Sequence, residues 1–427
     1  MGEGHGPVTR EYFFGRGLAC FESGQRIDLV KMSEASPKIF ESSARPKRGP
    51  RAKVVSPIEA AITSWLEALP KEFVDSLGFR IERLLLTAPK RWVVYPPMVL
   101  LPSGSFGDAY WDQSAEENFR DGLWKEILDR IGKKEGKGVL THLAINSGIP
   151  LKRCEAEGEN ILRTPSGLVM LYGDFGPDLR PEHPPSLKDF EEAFWVSTKQ
   201  NGITQVWAPR YTMFSRGNVK EKARLLDFHS SEQGLESRRV GKDKLGEQVA
   251  VDLYAGIGYF VFSYVKIGMA RALGWELNPW SVEGLRRGAT VNGWSVNVVR
   301  EGEKWEFGDE KIVVFLEDNR KATARMSAME KESFGRVKHV NGGLLPTSEA
   351  SWKTSLEILE GDGWLHLHEN VGVNDVEQRK GDIEEMFMEW LRQKADERQV
   401  KVEHVEYVKT FAPGVWHCVF DVYISSA

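Results

Sequence analysis

A short acidic and glycine-rich segment near the middle of the chain carries residues suited to nucleotide chemistry. Residues 251–260 run Val-Asp-Leu-Tyr-Ala-Gly-Ile-Gly-Tyr-Phe, so Asp252 precedes Gly256 by four positions and Gly258 follows shortly after. Glycine lacks the Cβ that would keep a ligand away from the backbone, and doubly wound folds bind ligands at such turns. We therefore expect Gly256 and Gly258 to contact a cofactor. In a plainer alternative, Asp252 only braces the loop through hydrogen bonds.

Acidic and amide residues also follow the next two predicted strands. Glu276 lies 24 residues after Asp252, where a carboxylate can accept hydrogen bonds from two ribose hydroxyls. Asp318 and Asn319 follow the third strand, where an acid and an amide can bind the edge of an adenine. In the alternative interpretation, Asn319 caps the next helix.

The spacing of these residues favours S-adenosylmethionine (SAM) over a nicotinamide cofactor. The dinucleotide fingerprint has a third glycine, but Val261 stands at that position, where its side chain would crowd a pyrophosphate. An acid four residues before the first glycine also suits SAM better. A nicotinamide dehydrogenase is therefore the third choice of function.

A polar and basic segment precedes the glycine loop. Residues 214–222 run Phe-Ser-Arg-Gly-Asn-Val-Lys-Glu-Lys, in which Asn218 and Glu221 have the spacing of a capping box at the start of a helix. In the alternative interpretation, Ser215, Lys222 and the helix N-terminus bind an anion such as the carboxylate of the cofactor.

The fourth predicted strand ends in Asn341-Gly-Gly-Leu-Leu-Pro346. Amino-group methyltransferases place Asn or Asp followed by Pro-Pro and an aromatic residue at this point. Only Asn341 and a displaced Pro346 remain here, so methylation of an exocyclic amine loses support.

The elements that would position these residues alternate between strand and helix through the second half of the chain. This alternation predicts an α/β fold, a doubly wound sheet like that of the class I SAM-dependent methyltransferases. A Pro413-Gly414 turn joins two final strands and predicts a C-terminal antiparallel hairpin at one edge. The predicted strands are 247–253, 270–276, 311–317, 337–341, 363–369, 400–410 and 415–425; the predicted helices are 258–267, 279–291, 319–330, 349–359 and 376–395.

Three regions are predicted along the chain. Residues 1–55 form a flexible basic N-terminal segment, residues 56–185 a smaller mixed α/β domain, and residues 186–427 the SAM-binding catalytic domain. A capping box, Ser186-x-x-Asp189, predicts a helix over 187–200. The basic segment is either a solvated linker or an arm that contacts phosphates, through Arg45, Lys47, Arg48, Arg51 and Lys53.

The composition limits the classes of function. The chain has 427 residues, of which 41% are hydrophobic, so it can bury a large core. No segment approaches the roughly 20 apolar residues of a membrane span, and three widely separated cysteines lack the spacing of a metal site. We expect a cytoplasmic protein without a bound metal. The net charge of −5 neither favours nor excludes a nucleic acid as partner.

Five segments, occurring in this order, together resemble one family of tRNA-modifying enzymes. The family comprises the guanine-N1 methyltransferase that acts beside the anticodon and its paralogue, tRNA wybutosine-synthesizing protein 2, and the resemblance covers roughly residues 180–427. The fourth-strand segment resembles the wybutosine branch, fungal members in particular. The segments are Phe214-Ser215-x-Gly217-Asn218-x-x-Glu221-Lys222-x-Arg224, Asp252-Leu-Tyr-Ala-Gly-Ile-Gly258, Glu276-Leu-Asn-Pro279, Asn341-Gly-Gly-Leu-Leu-Pro346 and Ala412-Pro-Gly-Val-Trp-His417.

The wybutosine branch implies an unusual use of SAM. Its members transfer the 3-amino-3-carboxypropyl group to 4-demethylwyosine in phenylalanine tRNA and release methylthioadenosine. The smaller domain is expected to help hold the tRNA, and no obligate protein partner is expected. The resemblance implies a proton acceptor at Glu221, a substrate contact at Asn341, and cofactor contacts at Ser215, Lys222, Glu276, Asp318 and Asn319.

Two alternatives to this function remain open. The chain could be a tRNA guanine-N1 methyltransferase of the same fold, which the by-product of the reaction would reveal. It could also be a non-catalytic module that binds SAM and RNA, in which case tRNA would never be altered.

Overall fold

The fold is described from a computed structural model. It describes residues 55–77, 80–107, 111, 117–146, 160, 162, 163, 165, 168–180, 183–230, 238, 240–306, 308–329, 335–359 and 361–426. Residues 55–427 form one compact unit. The predicted basic segment lies outside the described residues, apart from Val55, and the division of the chain at 185/186 stays a prediction.

The N-terminal part of this unit is a four-stranded sheet packed against helices. A capping box between Ser56 and Glu59 starts α1, and α1 packs against α4 through a core that includes Ile62 and Ile127. The sheet order is β1-β2-β3-β4, and only the central pair is parallel. The elements are α1 (Pro57–Ala68), α2 (Lys71–Leu77), α3 (Arg80–Thr87), β1 (Val93–Tyr95), β2 (Met98–Leu101), α4 (Glu117–Glu135), β3 (His142–Ile145) and β4 (Val169–Tyr172).

A two-stranded hairpin follows and corrects one prediction. The Ser186 capping box is present, but helix α5 (Leu187–Glu192) ends eight residues earlier than predicted. The chain then forms β5 (Val196–Gln200) and β6 (Ile203–Trp207), which pair antiparallel. Asn201 and Gly202 between them both have positive φ, 52° and 73°, as a two-residue hairpin turn requires.

The second half forms an eight-stranded sheet in the order β13-β14-β12-β11-β7-β8-β10-β9. The strands from β12 to β9 are parallel, and the last two strands of the chain pair antiparallel at one edge. This confirms the predicted doubly wound sheet and hairpin; strand β9 was not predicted. The strands are β7 (Gln248–Asp252), β8 (Arg271–Glu276), β9 (Val296–Arg300), β10 (Ile312–Leu316), β11 (Arg336–Gly342), β12 (Gly363–Gly372), β13 (Gln399–Ala412) and β14 (Val415–Ser425).

Helices cover both faces of this sheet. One face, which we call the apolar face, packs against α10, α11 and α12 through a hydrophobic core. The opposite face, which we call the mixed face, meets α6, α8 and α9. The helices are α6 (Val219–Asp227), α7 (Lys242–Leu245), α8 (Val261–Lys266), α9 (Pro279–Val291), α10 (Ala322–Ser327), α11 (Trp352–Ile358) and α12 (Val376–Gln393).

None of the helices in the described ranges is long and apolar enough to cross a membrane.

Candidate active site

The glycine loop is tied to the end of the neighbouring strand. The backbone N–H of Gly256 donates to Glu276 Oε2 at 2.8 Å, and Oε1 of the same carboxylate accepts from Asn278 N–H at 2.8 Å. Burial raises the pKa of Glu276. Since each carboxylate oxygen has two lone pairs, both can still accept a hydrogen bond from a ligand.

The backbone of the loop itself requires the two glycines, and their predicted contact with a cofactor stays a prediction. Both have positive φ, 53° at Gly256 and 89° at Gly258, a conformation that L side chains rarely adopt. A Cβ at Gly258 would also lie 2.6 Å from the Phe262 ring, within the protein itself. The glycines therefore allow the turn to close on its own helix, whether or not a ligand is bound.

Asp318 and Asn319 are both placed at the same edge of the sheet. Asp318, not Asn319, caps the next turn by accepting from Arg320 N–H at 2.9 Å, and it also pairs with the Arg320 guanidinium. That pairing lowers the pKa of Asp318. Asn319 Nδ2 donates to Leu253 O at 2.8 Å and holds strand β7 where it enters the loop.

Tyr259 connects the loop to the segment that precedes α6. Its hydroxyl donates to Met213 O at 2.5 Å and accepts from Ser215 N–H at 3.0 Å. The Ser215 hydroxyl in turn donates to Asn218 Oδ1 at 3.2 Å. The predicted capping box is wrong, because Asn218 makes no capping hydrogen bond. The Ser215 turn is instead held directly against the glycine loop.

Lys222 is a buried cation whose hydrogen-bond partners are neutral. Its ammonium donates to Gln200 Oε1 at 2.7 Å and Gln205 Oε1 at 2.8 Å, and it lies 5.0 Å from the centre of the Phe214 ring. Burial lowers the pKa of Lys222 to about 8. Within the described part of the chain no carboxylate pairs with it, so its charge is available to an anion.

Asp252 and Asn341 form a buried pair at the ends of strands β7 and β11. Asn341 Nδ2 donates to Asp252 Oδ1 at 3.1 Å, and that oxygen also accepts from Tyr254 N–H at 3.1 Å. Asp252 therefore does brace the loop. Burial raises its pKa to about 7. Asp252 Oδ2 and Asn341 Oδ1 are buried without a hydrogen-bond partner among the described residues.

Glu221 lies in a separate ion-pair network. Both of its oxygens accept from Arg224, at 2.8 and 2.7 Å, and the same guanidinium binds Asp421 at 2.5 and 3.0 Å. Glu221 is fully buried and Asp421 almost fully. Although burial opposes it, Arg224 and a hydrogen bond from His366 lower the pKa of Asp421 well below its ordinary value. Glu221 thus forms a buried ion pair with Arg224, and its role as a proton acceptor stays a prediction.

Three histidines continue this network across the mixed face. Val240 N–H donates to His229 Nδ1 at 3.3 Å, so a neutral His229 carries its proton on Nε2, which lies 2.8 Å from His339 Nε2. His339 Nδ1 then donates to His366 Nε2 at 2.8 Å, and His366 Nδ1 to Asp421 Oδ1 at 2.7 Å. We assign these tautomers from the bonds themselves. Every ring N–H in this series of hydrogen bonds, which we call the histidine chain, therefore has an acceptor.

A second histidine pair lies farther toward the carboxyl ends of the strands. His368 Nδ1 and His417 Nε2 are 3.0 Å apart, and both side chains are buried. The ring of Phe260, which follows the glycine loop, packs against His368 with 5.0 Å between ring centres. Neither histidine was predicted as a site residue, although His417 ends the fifth segment of the family resemblance. The signal was present in Trp364-Leu-His-Leu-His-Glu-Asn370, where polar residues recur with the period of two expected for one face of a strand.

A basic cleft of about 860 Å³ opens beside the Ser215 turn. Residues from the four-stranded sheet and from the catalytic half line it, among them Lys90, Arg91, Arg216 and Lys409. The side chain of Lys409 forms no hydrogen bond or ion pair with any residue that the structure describes. The described residues include no group of three or more His, Cys, Asp or Glu side chains that could hold a metal ion.

The strand order and the Glu276-bound glycine loop define a SAM-dependent transferase fold of class I. The chain matches tRNA wybutosine-synthesizing protein 2 of Schizosaccharomyces pombe at 41% identity over 338 residues, which cover 78% of this chain and 72% of that protein. The protein of the same name from Saccharomyces cerevisiae is 31% identical over 395 residues, covering 82% of this chain and 79% of that protein. This chain therefore belongs to the tRNA wybutosine-synthesizing protein 2 family.

Solved structures agree with the fold. TYW2 of Pyrococcus horikoshii, crystallised in complex with MeSAdo, superposes with a TM-score of 0.51 at 18% identity, covering 86% of this chain and all of that one. A transferase from the same organism gives a TM-score of 0.52 at 17% identity, covering 87% of this chain. No protein-family model matches the chain.

Proposed function

We propose that this protein transfers the 3-amino-3-carboxypropyl group of SAM to 4-demethylwyosine beside the anticodon of phenylalanine tRNA. The reaction is a step of wybutosine biosynthesis and releases methylthioadenosine. The observation that carries the proposal is the glycine loop bonded to Glu276 at the carboxyl edge of the sheet, in a member of the wybutosine-synthesizing protein 2 family.

The residues at this edge fit the parts of SAM. Glu276 has lone pairs free for the ribose hydroxyls, and Asp318 and Asn319 stand at the next strand end for the adenine. Lys222, which has no counter-ion among the described residues, supplies a buried positive charge for the carboxylate of SAM, and the Ser215 turn lies close to the same loop. When bound, SAM offers a carbon made electrophilic by the adjacent sulfonium. The protein selects which carbon reacts through orientation.

Asn341 and Glu221 take different parts in the proposal. Asn341 has a buried amide oxygen to which no described residue donates a hydrogen bond, so this oxygen can accept one from the acceptor base. Glu221 stays a predicted proton acceptor from the resemblance. Because Arg224 binds both oxygens of Glu221, Glu221 would have to leave that ion pair before it could take a proton.

The basic cleft suits the backbone of the tRNA. Lys90, Arg91, Arg216 and Lys409 provide four positive charges around it, and Glu135 is the acidic residue in its lining. Phosphate contacts position a nucleic acid without reading its sequence. We propose that the anticodon stem-loop lies along this cleft, so that the smaller domain helps to hold the tRNA as predicted. A cytoplasmic location likewise stays a prediction.

The by-product of the reaction tests the proposed function. Purified full-length protein is incubated with SAM and with tRNA from a strain that lacks this gene, and the small molecules are separated by chromatography. We expect methylthioadenosine, with the mass of the aminocarboxypropyl group added to the acceptor nucleoside. A Glu276→Ala variant should bind SAM more weakly and form less product.

Two other results would replace the proposal. S-adenosylhomocysteine as the by-product would make the protein a methyltransferase of the same fold. Bound SAM with no change in the tRNA would make it a non-catalytic module that binds SAM and RNA.

A further inference from the structure

Six of the buried polar atoms without partners lie along the carboxyl edge of the mixed face. They are Asp252 Oδ2 on β7, Asn341 Oδ1 on β11, His368 Nε2 and both amide atoms of Asn370 on β12, and His417 Nδ1 on β14. Each of these atoms lacks a hydrogen-bond partner among the described residues. Such groups cost free energy when buried alone, so a row of them indicates the place of a polar ligand.

The strand register shows that these side chains share one face and one end of the sheet. Asn341 pairs with Asp252 across β11 and β7, and Asn370 pairs with His417 across β12 and β14. His368 lies two residues before Asn370 and therefore on the same face. Phe260 packs on the His368 ring and lies next to Gly343, which brings the row beside the glycine loop.

The two histidine groups of this face differ in how their ring nitrogens are used. His339 and His366 have both ring nitrogens hydrogen-bonded, within the chain that ends at Asp421. Among the described residues, the rings of His368 and His417 hydrogen-bond only to each other. The outer nitrogen of each ring, His368 Nε2 and His417 Nδ1, has no hydrogen-bond partner there. The satisfied histidines lie deeper in the sheet, whereas the unsatisfied pair lies nearer the carboxyl ends of the parallel strands, where α/β folds bind ligands.

The unsatisfied pair has a defined chemical capacity. One ring donates to the other, so a neutral pair presents one outer nitrogen as a donor and the other as an acceptor in either tautomer. The pair can therefore take a proton at one end and release one at the other. Burial keeps both rings neutral, since it lowers the pKa of His417 to about 4 and that of His368 well below its ordinary value.

Most of the groups around the pair lower the pKa values of the two rings further. Lys409 on β13 faces His417 across the strand pair, and its positive charge further lowers the pKa of that ring. On the other side, His366 and Arg224 lower the pKa of His368, and Asp421 opposes them.

We propose that His368 and His417 contact the acceptor base and remove the proton that the base loses during transfer. Asn341 and Asn370 on the neighbouring strand ends hydrogen-bond the same base. This inference rests on the proposed aminocarboxypropyl transfer, and it assigns the role of proton acceptor to the histidine pair in place of Glu221, whose two oxygens are held by Arg224.

The transfer requires such a base because its charges must balance. A bond forms between the acceptor atom of the tricyclic base and the carbon beside the sulfonium. The carbon–sulfur bond breaks, and its electron pair stays on sulfur to give neutral methylthioadenosine. The positive charge remains on the acceptor base until its displaced hydrogen leaves as a proton. The His368–His417 pair takes that proton and passes it through the ring-to-ring hydrogen bond.

Conservative variants of both histidines test the proposal. His417→Asn and His368→Gln keep a polar atom near each outer nitrogen but remove the base. We expect kcat to fall about 10²- to 10⁴-fold, with the Kd for SAM and the Kd for tRNA changed less than threefold. We expect the kcat of the wild type to decline at low pH, where the pair becomes protonated. This decline should be absent in both variants. The matched control is His404→Asn, at an exposed histidine of β13 that pairs with Glu406.

A kcat within threefold of wild type in both variants would overturn the proposal. Nitrogen-15 NMR of the histidine rings in the wild-type chain gives a second readout that needs neither turnover nor a variant. On addition of acceptor tRNA without SAM, the ring signals of His368 and His417 should shift and that of His404 should not. Unchanged signals for the pair would also overturn the proposal, even if the variants failed to fold.

These results separate the inference from the proposed function. If wild-type protein forms methylthioadenosine and the His417→Asn variant forms it equally fast, only the inference fails. If wild-type protein forms no methylthioadenosine, the proposed function fails, and the NMR titration still decides whether a tRNA base reaches the histidine pair.

Discussion

The two faces of the central sheet are built from the same strands but carry opposite kinds of side chain. On β14, Phe420 points into the apolar core beneath α11 and α12, whereas Asp421 points into the ion pairs and histidines of the mixed face. Adjacent residues on β12 and β11 divide in the same way. Because side chains alternate along a strand, the same strands contribute to the hydrophobic core on one face and to the candidate site on the other.

The difference between the faces shows where stability and chemistry reside. The apolar face is filled by large side chains such as Phe315, Phe387 and Phe420, which have no polar atoms and need no hydrogen-bond partner. The mixed face buries charged and polar side chains that need hydrogen-bond or ion-pair partners. Toward the carboxyl edge, some of their atoms have no such partner among the described residues. Variants on the two faces should therefore separate changes in folding from changes in ligand binding.

The largest effect is expected at Arg224, which holds two buried carboxylates. Arg224→Met leaves Glu221 and Asp421 uncompensated, and we expect it to lower the free energy of unfolding by about 4 to 5 kcal/mol in urea titrations. Lys133→Met is the control, since it removes an exposed ion pair with Asp129 and should cost less than about 0.5 kcal/mol. A loss below 1 kcal/mol at Arg224 would mean that the network is not essential to the mixed face.

On the apolar face, Phe420→Ala should lower the free energy of unfolding by about 3 to 4 kcal/mol through loss of packing. The SAM affinity of the folded protein, measured by calorimetry, should not change. Phe411→Ala, at a phenylalanine of β13 with 60% of its surface exposed, should cost less than about 0.5 kcal/mol. Weakened SAM binding in the Phe420 variant would show that the two faces are coupled.

Asp252 gives a smaller effect that depends on pH. Its folded pKa, about 7, lies above the ordinary value of 3.8. The folded state therefore binds more protons between these values. The contribution of Asp252 to stability is full below pH 3.8 and is lost as pH rises through 7. We expect the ligand-free wild type to lose about 2 kcal/mol more than Asp252→Asn between pH 5 and pH 7. Parallel pH profiles of the two proteins would contradict this.

The smallest effect is expected for SAM binding at Lys222. Lys222→Met removes the buried charge and should raise the Kd for SAM about tenfold, or 1.4 kcal/mol. Lys220→Met is the matched control two residues away, because Lys220 is exposed and pairs with Glu406. Its Kd should stay within twofold of wild type. Equal effects of the two variants would remove Lys222 from the proposed cofactor site.

The sequence predicts the parallel sheet well because its strands are short, apolar and separated by helical periods. The hairpin β5–β6 was missed for a definable reason. The Ser186 capping box correctly starts a helix, but a cap does not determine how far the helix extends. Asn201-Gly202, a strong hairpin turn, begins only nine residues beyond Glu192 and was overlooked.

The candidate site shows the same limit at the level of side chains. Strand ends place Glu276, Asn319 and Asn341 at one edge, and this could be predicted from their positions alone. The pairing of Asp318 with Arg320, and of Glu221 with Arg224, depends on rotamers that the spacing does not specify. The histidines were missed because each is unremarkable by itself, and only the sheet register brings them together.

The histidine chain also determines how neighbouring strands align. A slip of one residue in the strand pairing would exchange the two faces and place charged side chains in the apolar core. A slip of two residues would keep every side chain on its own face, so the hydrophobic pattern alone does not exclude it. The bonds from His339 to His366 and from His366 to Asp421 run sideways across β11, β12 and β14. A two-residue slip would break them and leave buried imidazoles unpaired. The polar side chains thus encode the alignment that the apolar ones leave ambiguous.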